Sequence, residues 1–174
     1  MSISNDIRHA VRERYHFACG YCGISEIDVG SELEIDHFQP IRSGGTDEWD
    51  NLVYACPACN RNKASYWPSV DAEPQRHLLH PLTDDLNSHL TLSQEGYLVG
   101  LTPRGCFHIE WLHLNRPQLI MMRQRRAIYQ RTQKMVEELQ QVNRKILERI
   151  ALQEEELYAL RQEVRRLMGD NSER

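Results

Sequence analysis

The 174-residue sequence predicts an α+β fold, in which a small domain of two strands and a helix is built around four cysteines and is followed by a long C-terminal coiled-coil helix. Three observations support this class. Two C-x2-C pairs are separated by 33 residues, the segment between them holds a β-prone run and a glycine turn, and residues 118–168 contain neither glycine nor proline. We therefore place the first domain at residues 1–116 and the long helix at residues 117–170.

The first half of this domain is predicted to be helix, cysteine turn, hairpin and helix. Residues 4–17 carry apolar side chains at helical spacing, with Ser4, Asn5 or Asp6 available as the N-cap. The segments CGYCG, ELEIDHF and RSGGTDEW then predict a cysteine turn, a strand and the turn of a hairpin. In NLVYACPACNRNK, Pro57 suits the first turn of a short helix.

The second half of the domain, residues 67–116, is richer in proline, glycine and histidine and is predicted to be largely irregular. One further hairpin is expected where Glu95-Gly96 separates two short β-prone runs. We expect the larger aromatic side chains to belong to the core rather than to a base-stacking surface; these are Trp49, Tyr66, Trp67 and Trp111.

The long helix carries an apolar stripe with alternating steps of three and four residues, which is typical of a coiled coil. A step of four between Ile146 and Ile150, where three was due, is a stutter. One helix cannot bury its own stripe, so the pattern favours a homodimer over packing back as a helical hairpin or onto a different protein. The stripe consists of Met135, Leu139, Val142, Ile146, Ile150, Gln153, Leu157, Leu160, Val164 and Leu167.

Four of the five cysteines form the two C-x2-C pairs, Cys19 with Cys22 and Cys56 with Cys59. Two such pairs supply the four thiolates of a structural zinc site, and we favour zinc over a disulfide pairing because we expect a cytoplasmic protein. The remaining Cys106 is expected to be a small buried apolar residue.

The stretch EIDHFQPIRSGGTDEWDNLVYACPACNRNK resembles the HNH endonuclease family, in the branch whose ββα-metal hairpin is framed by a four-cysteine zinc site. The resemblance runs from Cys19 to Lys63 and extends more loosely to Arg126. It implies a hairpin and helix that hold a catalytic metal beside a histidine.

The resemblance also implies roles for individual residues. His37 would be the general base, Asn51 would hold its imidazole, and Asp36 would bind a divalent cation together with Asn60. The family often has histidine where Asn60 stands. Because an amide oxygen is a harder ligand than an imidazole nitrogen, this departure favours Mg²⁺ or Mn²⁺ over zinc or nickel.

Charge is distributed unevenly, which bears on where a nucleic acid would bind. Residues 1–116 hold 9 Lys and Arg against 16 Asp and Glu, whereas residues 117–174 hold 12 against 9. The basic excess is tightest over residues 116–134, where a nucleic-acid contact and a solvated helix face remain equal alternatives. The residues expected to contact phosphates are Arg61, Lys63, Arg123, Arg125 and Arg126.

Together these features predict a metal-dependent DNA endonuclease with little sequence preference of its own, acting as a homodimer or with a partner protein that selects the target. The family resemblance associates it with bacterial defence, restriction or mobile-element systems. The alternative is an inactive, zinc-stabilised adaptor that binds nucleic acid and acts through its coiled coil.

No apolar run approaches the roughly 18 residues of a membrane span, and the first twenty residues include several charged side chains, so a cytoplasmic location is expected. The His77/His80 pair is left open as a second metal site.

Overall fold

The computed structural model describes residues 3–170, with the side chains of residues 169 and 170 left aside. The predicted α+β class is confirmed, since short antiparallel strand pairs alternate with helices. The helices are α1 Asn5–Arg14, α2 Glu26–Val29, α3 Pro57–Lys63, α4 Leu86–His89, α5 Pro103–Trp111 and α6 Pro117–Asp170, and the strands are β1 Glu34–His37, β2 Leu52–Ala55, β3 Leu90–Leu92 and β4 Leu98–Gly100.

A hairpin and a helix form the ββα unit that the sequence predicts. Strands β1 and β2 pair antiparallel, so that Asp36 lies opposite Val53 and His37 opposite Leu52. Helix α3 follows directly, with Pro57 at its start as expected. The thiol of Cys56 caps this helix by accepting the backbone N–H of Cys59.

Two glycines shape the loop that joins β1 to β2. Gly44 ends a short 3-10 helix over Ile41–Ser43 with a φ of 87°, a left-handed conformation that glycine adopts without strain. At Gly45 a Cβ atom would lie 1.9 Å from the carbonyl oxygen of Gln39, so no other residue fits there. The loop is thereby folded tightly against the end of β1.

Helix α1 is shorter than predicted and ends at Arg14 rather than at Phe17. Its N-cap is Ser4, whose hydroxyl accepts the backbone N–H of Ile7. The early end has a backbone cause, because His16 and Phe17 adopt positive φ values of 52° and 58°, which cannot continue a right-handed helix.

One apolar core holds these elements together. Val11 of α1 belongs to the same buried cluster as the residues of β2 and as Leu112 and Leu114, which follow α5. Because the four clustered cysteines belong to this core, the zinc-type donor set lies in the interior rather than at the surface. The fully buried members of the apolar core include Val11, Val53, Tyr54, Ala55, Cys59, Leu112, Leu114 and Leu119.

The second hairpin is also confirmed, with Gly96 in its turn at a φ of 86° and β3 paired antiparallel to β4. The expectation for Cys106 is wrong, because this residue is exposed. Helix α5 approaches β4 so closely that a Cβ on Gly100 would lie 2.5 Å from the Cys106 Sγ atom. The thiol therefore lies over the Gly100 backbone instead of entering the core.

The predicted long helix is confirmed as α6, although the chain divides within it into two compact units. Residues up to Arg125 belong to the first unit, and the helix from Arg126 onward forms the second. Every residue from 128 to 168 is exposed, so the apolar stripe has no cover within its own unit. None of the described helices combines the length and apolarity of a membrane span. The predicted boundary after residue 116 stays a prediction.

Candidate functional site

The four predicted zinc ligands come together in the interior. The Sγ atoms of Cys19, Cys22, Cys56 and Cys59 all lie within 4.8 Å of one another, and the four residues are buried. The Cys22 and Cys56 sulfurs are 3.8 Å apart. That distance matches the edge of a tetrahedron with Zn–S bonds of about 2.3 Å and is far too long for a disulfide. The donor set therefore fits a structural zinc ion.

Arg116 contributes to the cysteine cluster from the start of the C-terminal segment. One of its guanidinium nitrogens lies 3.8 Å from the sulfur of Cys22, 3.5 Å from that of Cys56 and 3.4 Å from that of Cys59. Four thiolates and one Zn²⁺ carry a net charge of −2, so a buried cation beside them is favourable. The sequence had placed Arg116 only in a general basic segment.

Asp36 is the centre of a buried charged network on β1. It is 6% exposed, and its Oδ1 accepts a hydrogen bond from the Lys63 ammonium at 3.0 Å. Its Oδ2 accepts the Tyr21 hydroxyl at 2.6 Å. Lys63 also donates to the carbonyl of His37 at 2.7 Å. Burial raises the pKa of Asp36 and lowers that of Lys63, while their mutual attraction opposes both shifts.

A second pair between β1 and α3 lies beside the first. The side-chain amide of Asn60 donates to a carboxylate oxygen of Glu34 at 2.7 Å, one helical turn before Lys63 contacts Asp36. These carboxylate and amide oxygens are hard donors and fit Mg²⁺ or Mn²⁺ in kind. A cation at Asp36 would share the carboxylate with the Lys63 amine or displace that amine from it.

His37 is held by a carboxylate that sequence reasoning missed. Its Nε2 lies 2.7 Å from Oδ1 of Asp47, and its side chain is 23% exposed. Because an ionised carboxylate only accepts hydrogen bonds, this contact assigns the proton to Nε2 and leaves Nδ1 as the acceptor. The ring therefore presents an unprotonated nitrogen away from Asp47.

Asn51 acts on the loop that carries Asp47. Its side-chain oxygen accepts the backbone N–H of Gln39 at 2.7 Å, and its Nδ2 donates to the carbonyls of Gln39 and Thr46. Since Thr46 directly precedes Asp47, the amide fixes the loop and so reaches the imidazole indirectly. The role of Asn51 as the group that holds His37 stays a prediction.

The basic residues expected at phosphates fall into two groups. Arg61 is exposed on α3, and Arg125 and Arg126 are exposed on α6. Lys63 and Arg123, in contrast, are 1% and 8% exposed. The guanidinium of Arg123 donates to the carbonyls of Gly96 and Leu114, so it makes its described hydrogen bonds inside the first unit.

Tyr21, Asp47 and Arg116 are the functional contacts that the sequence did not reveal. The position of Tyr21 could have drawn attention to it, because it lies between the two cysteines of CGYC and its backbone is held in place with them. Asp47 and Arg116 lie in a loop and at a segment boundary, where no periodic pattern applies. The His77/His80 pair joins no metal cluster among the described residues, where the four cysteines form the group of suitable donors.

The candidate site thus consists of a hairpin and a helix that carry an Asp-His pair, together with four buried thiols. Residues 19–65 match the family model described as HNH endonuclease, and the chain carries an HNH domain over that range. The Septu protein PtuA of Bacillus mycoides (strain KBAB4) is 24% identical over 140 residues, covering 65% of this chain and 20% of that protein. The chain thus spans about a fifth of the length of this relative.

Replacing Tyr21 by phenylalanine tests the link between the cysteine pair and Asp36. Tyr21→Phe should lower the free energy of unfolding by about 1.5–3 kcal/mol, because a buried carboxylate loses a hydrogen bond. Zinc content should not change, since the hydroxyl is no ligand. Denaturant titration of Tyr21→Phe and of Tyr158→Phe, whose ring is exposed on α6, provides the comparison. Equal stability of the two variants would show that the Tyr21 bond contributes nothing.

Proposed function

We propose that this chain is a Mg²⁺- or Mn²⁺-dependent DNA endonuclease that hydrolyses phosphodiester bonds with little sequence preference. One observation carries the proposal: adjacent residues of β1 hold a buried carboxylate and a partly exposed imidazole whose Nδ1 is left as the proton acceptor. The HNH match over residues 19–65 supports the reaction class.

His37 is the proposed general base. Its Nδ1 takes a proton from the attacking water, while Asp47 fixes the tautomer and stabilises the imidazolium that forms. Asn51 keeps Asp47 in place through the Thr46 carbonyl. A divalent cation held by Asp36 and Asn60 would supply positive charge to the non-bridging and leaving oxygens of the phosphate.

DNA contacts are proposed for the exposed basic residues Arg61, Arg125 and Arg126. The region up to residue 116 has a net charge of −7, with 9 basic and 16 acidic residues, and repels a phosphate backbone away from the site. We therefore expect weak binding that falls steeply as the salt concentration rises. Such binding is consistent with an enzyme that depends on a second chain for its target.

Nicking of supercoiled plasmid tests the enzyme directly. We expect conversion to the open circle in Mg²⁺ or Mn²⁺ and none when only Ca²⁺ is supplied. A second candidate is the inactive adaptor, which is favoured by the Lys63 ammonium that already occupies Oδ1 of Asp36. Plasmid binding without nicking under any of these ions would support the adaptor and exclude the nuclease.

We also propose that the stripe on α6 joins two copies of the chain, which would allow one cut in each strand. Leu160→Asp should convert the dimer to a species of the single-chain mass of 20.4 kDa, because it introduces charge into the stripe. Leu152→Asp is the matched control, since Leu152 is exposed on the same helix outside the stripe. Light scattering measures both. A wild-type chain that is already monomeric would contradict self-association and favour a different partner.

The cellular setting is a further proposal. The family resemblance and the similarity to a bacterial Septu protein support a role in a bacterial defence, restriction or mobile-element system, with the nuclease acting in the cytoplasm. Loss of the phenotype of such a system in cells that carry only His37→Ala is the expected result.

A further inference from the structure

A cavity of about 290 Å³ opens beside the end of β1. Its lining includes Phe38, which directly follows His37, and Tyr66 and Trp67, which follow Lys63 by three and four residues. Residues that follow β1 and α3 in the chain therefore line the same cavity. The volume corresponds to the lower end of the range of small-ligand pockets, which begins at roughly 300 Å³.

A residue with a strained backbone at the end of α3 turns the chain so that the following residues line this cavity. Ala64 has φ 49° and ψ −133°, a conformation that side chains with a Cβ rarely adopt. Ala64 is exposed, so no packing of its own methyl group explains the strain. The turn at Ala64 redirects the chain and brings Tyr66 and Trp67 back beside Phe38.

The cavity has aromatic walls that remain open to solvent. The rings of Phe38 and Trp67 meet edge to face with centroids 6.0 Å apart, and Phe38 meets His80 in the same way at 4.6 Å. The expectation that the larger aromatic side chains belong to the core is wrong for Trp67, which is 38% exposed, and also for Trp49 and Trp111. The ring of Trp67 can therefore receive a flat partner without unfolding the domain.

The charged groups of the cavity are already paired. Asp84 and Arg104 form a two-pronged ion pair, and Arg104 also donates to the carbonyls of His77 and Leu78. A phosphate or another ion would find no unpaired charge in this pair, so the lining fits an uncharged ring. His77 also lines the cavity, and its ring is uncharged when the imidazole is neutral.

We propose that this cavity receives one nucleobase of the strand that is cut, a proposal that rests on the nuclease function given above. A base paired within a duplex cannot enter, because its ring is stacked between its neighbours. The substrate class is therefore single-stranded or locally unpaired nucleic acid. A base held by Phe38 and Trp67 would anchor the strand beside His37 without reading its sequence, since every base offers a flat face.

Binding of a short fluorescent single-stranded oligonucleotide tests the cavity. The full chain carrying His37→Ala is used in Mg²⁺, so that cleavage does not interfere. Adding Trp67→Ala should raise Kd by about 5- to 150-fold, as expected for the loss of one stacked base. Adding Trp49→Ala instead should have little effect, because Trp49 is also exposed but lies outside the cavity, beneath the Arg14 guanidinium. Trp67→Phe, which keeps a ring, should bind close to the parent.

A second probe is the same oligonucleotide with a single abasic position moved along the strand. One position should weaken binding by the parent and have no further effect on Trp67→Ala. Trp67→Ala and Trp49→Ala binding alike, no sensitive abasic position, or no single-strand binding at all would each overturn the proposal. A folding defect is recognised by melting, in which case Trp67→Leu replaces Trp67→Ala. Failure of plasmid nicking by the wild type leaves these binding outcomes intact, so the two proposals fail separately.

Discussion

Cys19→Ser is expected to abolish the cooperative unfolding of the first unit at ordinary temperatures. The thiol of Cys19 is one of four that lie within 4.8 Å, and it fastens the turn after α1 to the cysteines at the start of α3. Structural zinc in small domains contributes about 10–16 kcal/mol of binding free energy, which is available only in the folded state. A hydroxyl is a poor replacement for a thiolate, so most of that free energy is lost.

Cys106→Ser is the matched control, because it makes the same chemical change at an exposed cysteine outside the cluster. Wild type and Cys106→Ser should retain one zinc ion per chain and show a sharp thermal transition, whereas Cys19→Ser should retain little zinc and show none. Elemental analysis and circular dichroism measure both quantities. An unchanged midpoint in Cys19→Ser would refute the role of the cluster in holding the domain together.

His37→Ala is expected to reduce plasmid nicking by about 10²- to 10⁴-fold, the usual contribution of a general base. Stability should change little, because the imidazole is partly exposed and its described hydrogen bond goes to an exposed carboxylate. The rate of conversion of supercoiled to open-circle plasmid in Mg²⁺, together with a thermal melt, separates lost chemistry from lost folding.

His9→Ala serves as the control for this comparison. His9 lies exposed on α1 and contacts Glu13, so its removal should leave both the nicking rate and the melt unchanged. Equal nicking by His37→Ala and the wild type would exclude His37 as the base and would redirect attention to another proton acceptor.

The sequence predicted those parts of the fold that depend on local spacing. The two C-x2-C pairs, the hairpin between them and the start of α3 at Pro57 all follow from the residues of one segment. The long helix α6 follows from a regular apolar period without interruption by glycine or proline. The end of α1 was misjudged, because nothing in its pattern announces the left-handed residue His16.

The contacts that define the site are tertiary and could not be predicted from spacing. Tyr21 meets Asp36 across 15 residues, and Arg116 meets Cys22 across 94. Basic side chains were assumed to face solvent, as most do. Lys63 and Arg123 depart from that rule because carboxylate or carbonyl oxygens satisfy their donors inside the domain.

Tyr21 sits between two thiols and donates its hydroxyl to the carboxylate that is proposed to bind the cutting metal. Tyr21 depends on the cysteine turn for its position, and that turn depends on the proposed zinc ion. The hydrogen bond from Tyr21 to Asp36 therefore connects the proposed zinc site to the proposed cation site. Removal of the proposed zinc ion should therefore also weaken the proposed cation position at Asp36, although no ligand is shared between the two.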